Sequence, residues 1–164
     1  MTHTDNYDAY FKAAAISHFS DTGIDWNWFK AQGIAESALN PLAMSPCGAR
    51  GIMQIMPATW DEIKQWLEID EPYDAKDSIM AGVFYMRRMW DFWWGRGIQN
   101  DCLKFAQASY NAGLGNIKKA WRKTRNADSW KEIAEQLPAI TGKHATETID
   151  YVAKIEKIHK ELTA

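Results

Sequence analysis

The chain has 164 residues, 46% of them hydrophobic, which is enough for one domain with a sizeable core. Nineteen basic residues against twenty-one acidic ones give a formal net charge of −2, and that balance removes any overall electrostatic case for a nucleic acid or an anionic membrane as partner. No apolar run approaches membrane-spanning length, so membrane insertion is not expected. Cys47 and Cys102 allow one disulfide at most; their spacing matches no metal site, and they read as free thiols. His3, His18, His144 and His159 are scattered, without an HExxH pair or a Ser/His/Asp order, and no phosphate-binding glycine loop is present. The chemistry should need neither metal nor cofactor.

In chain order the sequence reads as all-α, with at most a small β-hairpin. Residues 5–19 alternate apolar and polar positions in a helical way, and Ser20-Asp21-Thr22-Gly23 closes them. Asp25 can cap a second helix carrying Trp26 and Phe29. Its last turns are Ile34 to Leu39, stopped by Asn40-Pro41, because proline disfavours helical geometry in the residue before it. Ser45-Pro46-Cys47-Gly48-Ala49-Arg50-Gly51 is a turn-rich loop, and residues 51–57 form an apolar run with one polar amide, Gln54. The plain reading of that run is a buried strand with a satisfied glutamine.

Pro57, followed by Asp61 and Glu62, starts a helix to about Leu67. Residues 75–94 form the most apolar helix, with Ile79, Val83, Met86 and Trp90 on one stripe joined by Met80 and Phe84. Arg87 and Arg88 fall on its solvated face, and Gly95-Arg96-Gly97 breaks it. Asn100 or Asp101 begins the next helix, through Leu103, Ala106 and Tyr110, which Gly113 and Gly115 terminate. Ser129-Trp130-Lys131-Glu132 is a capping-box pattern whose helix Pro138 stops, and a last helix carries Tyr151, Ile155, Ile158 and Leu162. No repeat or long linker divides the chain, so residues 1–164 read as one domain.

Glu36 is the candidate for chemistry. Near the negative end of a helix dipole, and with apolar neighbours, a carboxyl group keeps its proton towards neutral pH and can give it to a leaving group. The bland alternative is a solvated glutamate. Around it, Glu36-Ser37, Asn40-Pro41, Ala43, Ser45, Gly48-Ala49, Gly51, Met53-Gln54, Met56-Pro57 and Thr59 stand in order without a gap. This stretch resembles the first signature of the lytic transglycosylase family, in the goose-type lysozyme superfamily. Ser109-Tyr110-Asn111-Ala112-Gly113 is similar to the second, usually written AYNAG, with serine in place of the first alanine. Glu147-Thr148 and Tyr151-Val152 are similar to the third, ET followed by two residues and YV. The motif-bearing region covers residues 25–163, most of the chain.

The resemblance implies a lysozyme-like, goose-type fold acting on peptidoglycan glycan strands. Glu36 would be the sole acid/base, and Tyr110 or Tyr151, or both, would orient its carboxyl. Ser45, Met53, Gln54 and Asn111 would line the saccharide groove, while Ser37 would support local structure. Between Glu36 and Asp61 there is no other Asp or Glu. That favours a transglycosylase over a two-carboxylate hydrolase, although Asp61, Glu62, Asp74 and Asp77 remain candidates for a second carboxylate. The alternatives are a hydrolytic lysozyme on the same fold, and an idle wall-binding or virion module. Met1-Thr2-His3-Thr4-Asp5-Asn6 lacks the basic start and apolar run of a secretory leader. The expected routes to the wall are therefore a phage lysis enzyme, a virion-borne module, another export path, or a domain of a longer chain. Phage origin is the preferred one. The sequence carries no signal for an oligomeric state.

Overall fold

A computed structural model describes residues 3–164, so the amino-terminal segment read for a leader begins with two residues that lie outside the described ones. Among the described residues the chain forms α1 (Asp8–Phe19), α2 (Asn27–Ser37), α3 (Pro57–Ile63) and α4 (Ala75–Trp94). There follow α5 (Cys102–Ala112), α6 (Leu114–Lys123), α7 (Trp130–Thr141), a 3₁₀ turn (Gly142–His144) and α8 (Ala145–Leu162). Among the described residues, β-pairing is limited to two isolated antiparallel bridges, Met44 with Arg50 and Arg50 with Ile55. No helix among the described residues is long and apolar enough to cross a membrane. The residues fall into two compact units: the chain up to Tyr85 with Ile155–Ala164, and Met86–Lys154.

In the first unit, Phe11, Ala14, Ala15 and Phe19 recur on one face of α1 and are buried. α2 is enclosed from Phe29 to Ile34, and this includes the Lys30 ammonium, which sits 2.7 Å from Asp8 and 3.2 Å from Asp5. Two carboxylates keep that buried charge from being orphaned. Asp25 Oδ1 accepts the Asn27 N–H at 2.9 Å, but the N-cap position of α2 falls to Trp26, whose side chain makes no cap bond, so Asp25 stands one residue before the cap expected of it. Helix α2 ends at Ser37, two residues before the expected stop. Ala38 and Leu39 adopt left-handed geometry at φ 54° and 60°, normally unfavourable without glycine. Burial of the Leu39 side chain offsets that cost.

Helix α3 is also shorter than expected, ending at Ile63 with Trp66 and Leu67 bonded back to its carbonyl. Asp74 Oδ1 accepts the Asp77 N–H at 2.9 Å, and Asp77 Oδ2 accepts the N–H groups of Asp70 and Glu71. These two carboxylates fix the turn into α4, whose expected stripe Ile79, Val83, Met86 and Trp90 is buried. Met80 and Phe84, expected to join that stripe, are only half-buried.

The second unit is built around Trp93, which is fully enclosed with Phe92, Phe105 and Trp121 edge-on around it. Gly113 (φ 89°) ends α5 as expected, but the chain re-enters a helix at once, so Gly115 lies inside α6 and terminates nothing. Pro138 does not stop α7, which continues to Thr141. The Thr141 hydroxyl bonds the Leu137 carbonyl and the Gly142 N–H bonds that of Pro138, so the last turn is held despite the missing proline donor. Ser129 caps α7 as its pattern predicts, its Oγ accepting the Glu132 N–H at 3.4 Å. Cys47 is exposed, Cys102 is buried, and both thiols are free.

Candidate active site

Glu36 is the penultimate residue of α2 and is half-buried. The next residue ties the helix end to the loop that follows: the Ser37 hydroxyl lies 2.8 Å from the Ile52 carbonyl and 3.2 Å from that of Gly33. Ser37 is thus a structural residue, as expected. The loop is closed by its own backbone. Ser45 and Gly48 pair, Gly51 bonds the Ala43 carbonyl at 2.8 Å, and Arg50 and Ile55 exchange bonds at 3.1 Å. Gly51, at φ 77°, lets the chain pass where a Cβ would collide with the Pro72 carbonyl. From α4 the buried Ser78 hydroxyl accepts the Met53 N–H at 3.1 Å.

The expected strand over 51–57 is instead a turn, with Gln54 left-handed at φ 50°. The amide of Gln54 bridges the turn, Nε2 donating to the carbonyls of Gly51 at 2.9 Å and Ala43 at 3.2 Å. Both donors are committed there, leaving Oε1 as the atom able to meet a ligand. Ser45 is complementary: its Oγ accepts the Ala49 N–H at 3.0 Å and keeps its own proton to donate. Met53 differs from expectation. Its side chain is fully buried against Gly82 of α4, where an added Cβ would stand 2.6 Å from its Cγ. It therefore offers no exposed apolar surface to a sugar, and the large hydrophobic side chains exposed on this loop are Leu42, Met44 and Met56. Sequence position could not show this, because α4 supplies the burial.

The second and third motifs lie in the other unit. Tyr110 is half-buried near the end of α5, and Tyr151 is mostly enclosed on α8. Asn111 and Thr148 join the two motifs, the threonine hydroxyl donating to Asn111 Oδ1 at 2.8 Å. Asn111 Nδ2 keeps its donors. It borders a cavity of about 360 Å³ lined also by Asn116, Thr141, His144 and Glu147. Ser109, where the motif usually has alanine, accepts the Trp93 indole N–H at 2.8 Å and donates to the Phe105 carbonyl at 2.8 Å. Sequence reading missed that pairing. A hydroxyl replacing alanine in a tryptophan-rich chain was the available signal.

Each unit thus offers groups that suit a polyhydroxylated ligand: a hydroxyl donor and an amide acceptor in the first, an amide donor in the second, each held by a partner that fixes its direction. Solved structures define the fold class. The 70 kDa soluble lytic transglycosylase from Escherichia coli matches 96% of the chain at a TM-score of 0.74 and 23% identity, over 24% of its own length. An inactive mutant of the lytic transglycosylase Slt from Pseudomonas aeruginosa matches 97% at 0.74 and 23% identity, over 25% of its length. The fold is thus the all-α, lysozyme-like fold of those proteins. The profile of the transglycosylase SLT domain matches residues 14–133, and the chain belongs to that family.

Membrane-bound lytic murein transglycosylase F from Marinobacter nauticus is 31% identical over 147 residues, 87% of this chain. The protein of the same name from Maricaulis maris is 31% identical over an alignment of 173 positions, gaps included, that covers 96% of this chain. The chain spans 28% of the first relative's length and 36% of the second's.

Proposed function

We propose that this chain is a catalytic domain that cleaves the β-1,4 bond between N-acetylmuramic acid and N-acetylglucosamine of peptidoglycan without water. Glu36 protonates the glycosidic oxygen, and the C1–O bond breaks. The resulting carboxylate then takes the proton of the same muramoyl residue's C6 hydroxyl as O6 bonds to C1. The glutamic acid is regenerated and a 1,6-anhydromuramoyl end is left. Tyr110 and Tyr151 are assigned the orientation of that carboxyl on the family resemblance. Ser45 O–H, Gln54 Oε1 and Asn111 Nδ2 contact the glycan.

The observation that carries this reading is a single carboxylate with no rival in its own loop. Of the four candidates for a second one, Asp74 and Asp77 are committed to capping backbone N–H groups. A hydrolase needs a second carboxylate to attack carbon or activate water, and a transglycosylase does not.

Digestion of purified wall in ¹⁸O-labelled water tests the proposal. The expected products are anhydro ends, lighter by one water and unlabelled by the cleavage step. Full-mass, labelled reducing ends would make the protein a hydrolytic lysozyme. No cleavage by folded protein would make it a binding module. Glu36→Gln should keep the fold and lower wall cleavage by about 100-fold or more, since the amide neither gives nor recovers the proton.

A further inference from the structure

Away from these motifs, the first unit carries a second concave surface, of about 410 Å³, between the last turns of α1 and the start of α2. Its floor and walls are apolar: Phe19 is buried, Ile24 and Trp26 are half-buried, and Ile16 is exposed to 70% on its rim. A volume of that order is in the range of small-ligand sites.

Two polar groups at this surface form no hydrogen bond or ion pair among the described residues. The Lys12 ammonium stands 4.8 Å from the centre of the Trp26 ring and, among the described residues, forms no ion pair. Lys30 also faces that ring, at 6.0 Å, but is neutralised by Asp5 and Asp8. The Ser20 hydroxyl likewise has no partner among the described residues. Lys12 is the one charged side chain among the described lining residues. The pocket thus presents a single positive charge beside an aromatic wall, over an apolar floor, with a hydroxyl at the edge.

We infer that this pocket binds the C-terminal carboxylate of a short peptide with small apolar side chains. The carboxylate pairs with Lys12, methyl groups rest on Phe19, Ile16 and Ile24, and a peptide amide meets Ser20. A bare acyl chain would match the floor and the cation but leave the hydroxyl unused. A neutral sugar would leave the charge unanswered. The alanine-containing peptides borne by wall glycan are the natural source of such a terminus. That assignment of source rests on the proposed function, whereas the chemistry of the pocket does not.

Titration of the ¹⁵N-labelled protein with N-acetyl-D-alanyl-D-alanine, followed at the Trp26 indole N–H, tests the site with a probe that contains no glycosidic bond. A saturable shift with a dissociation constant on the order of millimolar is expected. Amidation of the peptide carboxylate or Lys12→Ala should weaken binding about tenfold, while Lys12→Arg retains it. Ile16→Asp, at an exposed position that leaves the fold intact, should abolish it. Absence of a saturable shift, equal binding of the amide, or octanoate binding more tightly than the peptide would each overturn the inference. Failure of wall cleavage would sink the proposed function and leave this titration unaffected.

Discussion

The loop after Glu36 and the α5–α8 junction use motif residues in opposite ways. In the loop, polar side chains are scaffold first: Ser37 and Gln54 direct every side-chain donor at backbone carbonyls, and Ser45 closes a turn. At the junction, Asn111 and Thr148 hold each other, and one amide nitrogen keeps its hydrogens. The difference follows from backbone geometry. A loop without regular ladders leaves carbonyls that side chains must satisfy, whereas helices satisfy their own. Membership in a motif therefore says little about whether a side chain touches ligand.

The sharpest way to break the loop is at Gly51. Gly51→Ala adds a Cβ at φ 77° against the Pro72 carbonyl, and should cost about 3 kcal/mol or more, read as a fall in the urea midpoint. Activity at matched folded fraction should fall with it, because the same loop holds Gln54. A variant of wild-type stability would show that the loop moves freely around Gly51.

Gln54→Ala and Asn111→Ala set the two regions directly against each other. Removing the Gln54 amide leaves the Ala43 carbonyl without this donor and Gly51 with one bond fewer, a loss of about 1–3 kcal/mol. Removing the Asn111 amide lets Thr148 fall back on the His144 carbonyl, already 3.5 Å away, so stability should change by less than about 1 kcal/mol. Wall cleavage by Asn111→Ala should nevertheless drop. If thermal melting ranks these two variants the other way, the contrast between scaffold loop and contact junction is wrong.

Ser109→Ala sharpens the same comparison inside one motif. It orphans the buried Trp93 indole N–H and should cost about 1–2 kcal/mol without altering kcat at matched folded protein. A double-mutant cycle with Trp93→Phe isolates the pair. Independent additive losses would show that the hydrogen bond contributes nothing.

A further effect is confined to alkaline pH and absent at neutral pH. Burial, with Asp128 and Asp91 nearby, pushes the Cys102 thiol up to about 12 from 9.0. The folded protein therefore keeps a proton that the unfolded chain has released. The thiol's contribution to stability is fully present below pH 9.0 and is lost as pH rises towards 12. Urea midpoints of wild type should decline across that window more steeply than those of Cys102→Ala. Parallel curves would mean that the thiol ionises as easily folded as unfolded. At neutral pH, Cys47 should react with a thiol reagent in the native protein, and Cys102 only on unfolding.

The sequence by itself determined the helical class, the limits of α4, the cap at Ser129 and the order of the three motifs. These are set by hydrophobic period and local turn chemistry, which neighbouring residues along the chain suffice to express. It placed the end of α2 two residues late, read a strand where Gln54 bridges a turn, missed α6 and stopped α7 at Pro138. In each case a local rule met a competing interaction. Leu39 is buried in a backbone geometry that its own propensity opposes, and Gly113 ends one helix only for the next to begin. The Thr141 hydroxyl and the Gly142 N–H carry α7 past its proline.

Tertiary structure alone decided that Met53 is buried against α4 rather than offered to a sugar. It likewise decided that Ser109 serves Trp93, and that Asn111 meets Thr148 across 37 positions of sequence. Such pairings depend on which elements fold against one another. The spacing of residues along the chain does not encode a partner that arrives from another helix.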